Sequence, residues 1–192
     1  LGGMAEDKNT PEGQTEAEEW YRKMLALDEQ NYLENPCYAS RRSLSISYER
    51  LGNICRNKNT PEGQAEAVEW YNRLLEVDEL NYQEHPCYQS RRALSFTYYR
   101  LGNVARDRAT PEGRAEAEEW YKKALILDEQ NFAENPCYES RRSLSGSYDR
   151  LGDIAQDRAT PESRAEAEEW YRKSLELNEQ NYRENPCYES RR

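Results

Sequence analysis

The sequence predicts an all-α fold built from antiparallel pairs of helices that repeat along the chain. Three observations lead to this prediction: a period of fifty residues, a proline start signal in every copy, and apolar residues at helical spacing. The period is visible in the segment Ala115–Leu125. Near copies of this segment begin at Thr15, Ala65 and Ala165. A repeat of this length indicates that each unit buries its apolar surface mainly against its neighbours.

The composition is polar and acidic, yet it indicates a folded chain. The net charge of −10 and the mean hydropathy of −1.22 are by themselves typical of disordered segments. Against this, 15 Tyr and 4 Trp recur in register at helical spacings, which a random polar sequence would not give. A pI near 4.9 argues against nucleic-acid binding and against adsorption to an anionic membrane, and it favours basic partners.

The same composition indicates a cytoplasmic protein without a metal or cofactor. No stretch approaches the roughly 18 apolar residues of a membrane span, and no signal-peptide core is present. Five cysteines without a Cys-x-x-Cys pair favour a reducing compartment, and the single histidine, His85, argues against zinc. Four of the cysteines share one repeat position, where stacked helices are too far apart for a disulfide, so we expect small half-buried residues in a first helical turn. These are Cys37, Cys87, Cys137 and Cys187.

One helix of each repeat, the B helix, starts at a Thr-Pro-Glu signal. The threonine caps the helix, the proline needs no amide donor in the first turn, and the glutamate suits the positive end of the helix dipole. In the first copy, Ala17, Tyr21 and Leu25 share one face, which Asp28 interrupts. We expect the helix to continue to Glu34, and a break near Asp28 is the alternative. The B helices are predicted at about residues 11–34, 61–84, 111–134 and 161–184.

The other helix, the A helix, follows an Asn-Pro signal in which the asparagine is the expected cap. This signal occurs at Asn35, Asn135 and Asn185, and His85 replaces the asparagine in the second copy. The A helices are predicted at about residues 36–57, 86–107 and 136–157. We further expect a flexible lead-in over 1–9, the start of a truncated A helix at 188–192, and a longer parent protein.

A glycine lies in the middle of each predicted A helix. Glycine inside a helix costs roughly 1 kcal/mol relative to alanine. Gly52, Gly102 and Gly152 therefore predict that a neighbouring helix approaches closely at these points.

These helix pairs are similar to the tetratricopeptide repeat. Leu101-Gly102 in an A helix is followed in the B helix by Ala117, Tyr121 and Ala124-Leu125, which resembles the family's Leu-Gly, Ala, aromatic and Ala-Leu pattern. The period is longer than the family's roughly 34 residues. The resemblance implies a single right-handed superhelix over residues 10–192, a tetratricopeptide-like solenoid with extended helices. It also implies that the A helices line a concave groove for peptides or protein segments.

The expected groove lies on the A-helix face beside the Leu-Gly pair. Side chains on this face differ between copies more than the apolar stripe does, as ligand-facing positions do, although ordinary solvent exposure gives the same variation. Asn53 and Asn103 are similar to the amides that hold peptide backbones in this family. The candidate residues are Glu49, Arg50, Asn53, Arg56, Phe96, Tyr99, Arg100, Asn103, Arg106, Asp149, Arg150 and Asp153.

An Arg-Arg pair opens each A helix, at Arg41, Arg91 and Arg141. Such arginines are either a ladder for acidic peptides or structural residues paired with acids of the repeat, for instance Asp78 or Asp128. The sequence leaves both interpretations open.

The expected function is a scaffold or interaction module that binds a protein or peptide in the A-helix groove. No catalytic residue is predicted, because the chain has no Gly-rich phosphate loop and no nucleophile elbow, and adjacent carboxylates such as Glu18 and Glu19 diverge on a helix. The alternatives are a structural module for homo-oligomerisation and a non-catalytic part of a larger enzyme or regulator.

Overall fold

The structure is a computed structural model that describes residues 11–184, and these residues form α-helices without any strand. In chain order the helices are α1 (Pro11–Glu34), α2 (Tyr38–Asn57), α3 (Pro61–Glu84), α4 (Tyr88–Asp107), α5 (Pro111–Glu134), α6 (Tyr138–Asp157) and α7 (Pro161–Glu184). The predicted lead-in, the truncated A helix at 188–192, Cys187 and the signal at Asn185 lie outside the described residues.

The chain divides into two compact units between Ser90 and Arg91. The first contains α1, α2 and α3, and the second contains α4 from Arg91 onward with α5, α6 and α7. One solenoid over 10–192 stays a prediction, and each compact unit is described by itself. Each unit has buried residues of its own, among them Leu51 and Tyr71 in the first and Tyr121 and Ile154 in the second.

The B helices start at their threonine caps and run without a break. The Oγ1 atoms of Thr60 and Thr110 each accept a hydrogen bond of 3.0 Å from the backbone N of the glycine three residues later. The B helices also continue past Asp28, Asp78 and Asp128, where the sequence left a break open. These aspartates accept hydrogen bonds from the neighbouring A helices. Asp78, for example, accepts a 2.8 Å hydrogen bond from the hydroxyl of Ser45.

The A helices begin two residues later than the sequence predicts, at Tyr38, Tyr88 and Tyr138 instead of 36, 86 and 136. The prediction that asparagine caps them is wrong, since Cys37 is the N-cap of α2. The reason is Ser40, whose Oγ accepts a 3.0 Å hydrogen bond from the Cys37 backbone N and donates to the Asn35 carbonyl at 2.8 Å. Cys137 and Ser140 form the same cap in α6. The repeated cysteine is therefore a cap and not a first-turn residue.

The mid-helix glycines admit a tyrosine ring from the next B helix, whereas the sequence predicts only that the neighbouring helix approaches closely there. A Cβ atom on Gly52 would lie 2.7 Å from Cδ1 of Tyr71, and one on Gly102 would lie 2.8 Å from Cδ1 of Tyr121. Real Cβ atoms do not come this close to other heavy atoms. The glycines therefore let the two helices of a pair pack with a buried aromatic ring between them.

A second aromatic contact joins the same helix pairs. The pairs are Tyr48–Trp70, Tyr98–Trp120 and Tyr148–Trp170, with ring centroids 6.0, 5.7 and 5.6 Å apart. A lysine covers the outer side of the tryptophan in the last two, since the Nζ atoms of Lys123 and Lys173 lie 4.1 and 4.4 Å from the ring centroids. Scarce apolar surface is thus concentrated in a few large rings.

Candidate functional site

A cavity of about 800 Å³ lies in the second unit between the A helices α4 and α6. Side chains of successive A helices form its two walls. Helix α4 contributes Arg92, Phe96, Tyr99, Arg100 and Asn103, and helix α6 contributes Tyr138, Glu139, Arg142, Ser143, Gly146 and Arg150. We call this cavity the arginine groove. Its size is within the range of about 300 to 1,000 Å³ that is usual for ligand sites.

The arginine groove carries positive charge in an acidic chain. Four arginines line it against one glutamate, Glu139. Arg92 and Arg142 are both exposed, and the positive charge of Arg92 opposes the rise in the pKa of the buried Asp128. The Arg92 guanidinium lies over Phe96, 5.0 Å from the ring centroid. This geometry leaves cationic groups directed at solvent next to an aromatic surface.

Gly146 makes a hollow in one wall. The same repeat position holds Ile46 and Phe96 in the other A helices, where the side chains are 44% and 41% exposed. A Cβ atom built on Gly146 would meet nothing within 4 Å. The glycine therefore leaves space in the groove where the other copies place an apolar side chain.

Tyr99 forms a fixed part of the other wall. Its hydroxyl donates a 2.5 Å hydrogen bond to Asp128 of α5 and contacts the hydroxyl of Ser147 in α6. Burial raises the pKa of Tyr99 well above its ordinary value, and the Asp128 carboxylate adds to this effect. Burial also raises the pKa of Asp128, although the hydroxyls of Tyr99, Ser147 and Ser95 oppose the shift. These bonds join three helices at the base of the groove.

The asparagines of the predicted groove have a structural contact. Asn53 and Asn103 each accept a 2.8 Å hydrogen bond from the tyrosine that packs on the mid-helix glycine, Tyr71 and Tyr121 respectively. Asp153 accepts the equivalent bond from Tyr171 at 2.9 Å. This repeat position therefore orients the tyrosine that packs on the glycine, and at Asn103 the same side chain also lines the groove.

The structure brings together only part of the predicted groove. Phe96, Tyr99, Arg100, Asn103 and Arg150 line the cavity. Arg106, Asp149 and Asp153 lie on the same helices outside its lining, and Glu49, Arg50, Asn53 and Arg56 lie on α2 in the first unit. Arg106 is instead engaged by two acids of α6, with N to O distances of 2.8 Å to Asp153 and 3.1 Å to Asp157.

Six lining residues were missed by the sequence reasoning: Arg92, Tyr138, Glu139, Arg142, Ser143 and Gly146. They lie toward the N-terminal half of the A helices, while the prediction followed the face beside the Leu-Gly pair. The change from Ile46 and Phe96 to Gly146 at one repeat position was the available signal. It marks the only one of these three copies with open space at that position.

The Arg-Arg pairs divide between the two roles that the sequence left open. The first arginine is buried and structural: Arg91 donates from Nε to Asn131 Oδ1 and from Nη1 to Glu134, both at 2.9 Å. Arg41 and Arg141 make the equivalent bonds to Asn81 and Asn181. The partners are thus an asparagine and a glutamate near the end of the B helix, and not the suggested Asp78 or Asp128. The second arginine of each pair is exposed.

Among the described residues, three potential metal ligands lie close together: the ligand atoms of Glu18, Cys55 and Glu66 are within 4.8 Å of one another. Lys58 occupies this cluster, with Nζ 3.0 Å from Glu18 and 3.3 Å from Glu66. Burial, with a hydrogen bond to Glu66, raises the pKa of Cys55 to about 12, so the thiol is protonated at neutral pH. In the second unit the equivalent carboxylates, Glu118 and Glu166, bind Arg158 without a thiol. We interpret both clusters as structural ion pairs.

No helix within residues 11–184 combines the length and the apolar character that crossing a membrane requires.

Comparison with known proteins supports the fold. No protein-family model matches the chain, and no curated protein matches it. Among solved structures, the de novo designed helical repeat protein DHR64 matches with a TM-score of 0.51 at 13% identity, over 94% of this chain and 89% of that one. Filaments named DHF58 and DHF119 match with TM-scores of 0.47 at 14% and 15% identity. They cover 89% and 94% of this chain, and 82% and 89% of their own chains. The likeness to DHR64 confirms the prediction of an all-α, solenoid-like helical repeat.

Proposed function

We propose that this chain is a tetratricopeptide-like interaction module that binds a peptide or protein segment in the arginine groove. The observation that carries the proposal is the cavity of about 800 Å³ between two successive A helices. Its walls combine aromatic rings with charged side chains, which is the lining expected of a site that holds a ligand by shape and orients it by polar contacts. The implied role is binding and scaffolding, without catalysis.

The base of the groove supports the proposal because it is fixed before a ligand arrives. Tyr99 is bonded to Asp128, and Asn103 is bonded to Tyr121, so both lining side chains are held from below. A wall whose rotamers are already set loses less conformational entropy on binding. Exposed arginines at the rim then supply the adjustable contacts.

The test is an unbiased selection of displayed random peptides against the immobilised chain, followed by mapping of the recovered peptides with amide NMR. We expect perturbed amides to cluster on the facing sides of α4 and α6. Recovery of no peptide, or shifts that map to the B helices instead, would contradict the proposal. Sedimentation at several concentrations accompanies the mapping, because a peptide that bound only to an oligomer would indicate the homo-oligomerisation module instead.

A further inference from the structure

The arginine groove contains two features that the general proposal does not use. One is the excess of arginine, and the other is the hollow at Gly146. Together they specify the chemistry of the partner, an inference that rests on the proposed function.

We propose that the groove selects an acidic peptide segment that carries a bulky apolar side chain, with that side chain seated in the hollow at Gly146. The net charge of the chain points the other way, since −10 favours basic partners. A bound segment, however, experiences mainly the groups within a Debye length of about 8 to 10 Å. The lining carries four arginines and one glutamate, and behind it Asp128 is bonded to Tyr99 and Asp153 lies 3.9 Å from Arg150, so the excess of positive charge is at the surface that a ligand touches.

The arginines are suited to carboxylates by geometry as well as by charge. A guanidinium presents a planar set of donors that matches the two oxygens of a carboxylate. Arg92 and Arg142 come from opposite walls, so an extended acidic segment between α4 and α6 has a cation on each side. Glu139 on the same rim disfavours a segment with acids at every position, and it leaves room for one basic or amide residue.

The hollow supplies the apolar part of the recognition. Phe96 lines the groove from this repeat position, and Ile46, at the same position in the first unit, is likewise an exposed large apolar side chain. At Gly146 the side chain is missing and no atom takes its place. A leucine or an aromatic residue of the partner would occupy the volume that isoleucine fills in the first copy, and it would bury apolar surface there.

Arginines also bind phosphorylated peptides and nucleic acids, but the structure favours the acidic peptide. The chain as a whole is strongly acidic, which opposes a polyanion long enough to extend beyond the groove. Neither of those ligands needs an apolar hollow. Both remain outcomes of the test.

The experiment measures affinity by fluorescence anisotropy for four probes at low salt. The first is a short peptide of glutamate and aspartate with one central leucine and one glutamine. The second has lysine in place of the acids, the third has alanine in place of the leucine, and the fourth is a phosphoserine peptide without an apolar residue. A single-stranded oligonucleotide is added as a fifth probe. We expect the first peptide to bind most tightly, with an affinity that falls as salt is raised.

Two variants test the two features. Gly146→Ile places in the hollow the residue that the first copy has there, and we expect it to weaken the leucine peptide by at least about tenfold. The double variant R92Q/R142Q removes two exposed cations, and we expect a loss of roughly five- to thirtyfold. The matched control is R164Q/R172Q, which removes the same charge from exposed positions on α7, and it should leave the affinity unchanged.

The proposal is overturned if the lysine peptide binds as tightly as the acidic one, if Gly146→Ile leaves the affinity intact, or if the phosphoserine peptide or the oligonucleotide binds best. Circular dichroism and urea denaturation of Gly146→Ile should show an intact fold, so that lost binding is not lost folding. If no peptide of any charge binds, the proposed function itself fails. If neutral or basic peptides bind in the groove, only this inference fails.

Discussion

At the scale of single residues, adjacent arginines have unrelated roles. Arg91 is 4% exposed and bonds Asn131 and Glu134, while Arg92 is exposed and lies beside Phe96 in the groove. The difference follows from the helix, since consecutive residues are about 100° apart around its axis, and one points at the next B helix when the other points at solvent. The same division recurs at Arg41 and Arg141.

The buried arginine should not tolerate lysine, whereas its neighbour should. Arg91→Lys removes the fork that reaches two partners at once, and it leaves the buried amide oxygen of Asn131 without its donor. We expect a loss of about 1 to 3 kcal/mol in the free energy of unfolding. Arg92→Lys should change it by no more than about 0.5 kcal/mol. Urea denaturation of both variants checks this, and equal effects would contradict the assignment.

Sequence alone gave no means of dividing the pair. Both arginines occur in every copy, and either one could bind an acidic peptide or form a structural ion pair. The role of each arginine depends on whether its side chain is buried, and this depends on which face of the A helix the next B helix covers.

At the scale of elements, the helix pair is held by contacts that depend on missing side chains. Gly152 in α6 faces the ring of Tyr171, with a Cβ position only 2.9 Å from Cδ1, whereas Gly146 in the same helix faces open space. Both glycines cost the helix about the same local stability, roughly 1 kcal/mol relative to alanine. Only Gly152 recovers this cost through packing.

Alanine at these two glycines should therefore change stability in opposite directions. Gly146→Ala should stabilise the chain by up to about 1 kcal/mol through helix propensity. Gly152→Ala should destabilise it by about 1 to 3 kcal/mol, because Tyr171 must move from its packed position. Chemical denaturation of each variant measures the two signs. A stabilising Gly152→Ala would show that the ring can shift at little cost.

The turns after the A helices show a related local constraint. Asn59, Ala109 and Ala159 have φ values of 52°, 54° and 55°. This left-handed region suits asparagine better than alanine. The second unit therefore carries a small strain that the first avoids at Asn59.

At the scale of the molecule, the net charge does not describe the local distribution of charges. The chain carries −10, yet carboxylates in the first and second units are held by cations. Glu18 contacts Arg22 and Lys58, and Glu118 contacts Lys122 and Arg158. The net charge therefore describes the electrostatic field far from the protein, while the lining of the arginine groove carries an excess of positive charge.

These pairs make stability depend on acid pH. Burial alone would raise the pKa of Glu118, but hydrogen bonds from Lys122 and Arg158 outweigh it and lower the pKa below its usual value of 4.5. A carboxylate with a lowered pKa stabilises the fold above its unfolded value and loses this contribution as the pH falls through its folded value. We expect the free energy of unfolding to decline below about pH 4.5.

Glu118→Gln should flatten that decline by a few tenths to about 1 kcal/mol, a range that allows for solvent screening of a partly exposed group. Glu168→Gln is the matched control, because Glu168 has the same repeat position but is exposed and makes no ion pair within residues 11–184. Urea denaturation at neutral pH and at a pH below 4.5 measures the difference. Identical slopes for the two variants would contradict the role of Glu118.

The sequence by itself determined the elements of this protein. The fifty-residue period, the Thr-Pro-Glu starts and the mid-helix glycines are local or periodic signals, and they predict an all-α repeat of paired helices. The cap of the A helix was still misassigned, because Ser40 bonds to the Cys37 backbone and Cys37, not Asn35, is the N-cap.

Only the tertiary structure decided the candidate site. The arginine groove joins Arg92 and Phe96 to Arg142 and Gly146, residues from helices that are a full repeat apart. Which side chains of these two helices line the cavity depends on how α4 and α6 pack against each other. The sequence marks Gly146 as a departure from Ile46 and Phe96, and Gly152 as the repeated mid-helix glycine, but only packing shows that the first faces open space and the second faces the ring of Tyr171.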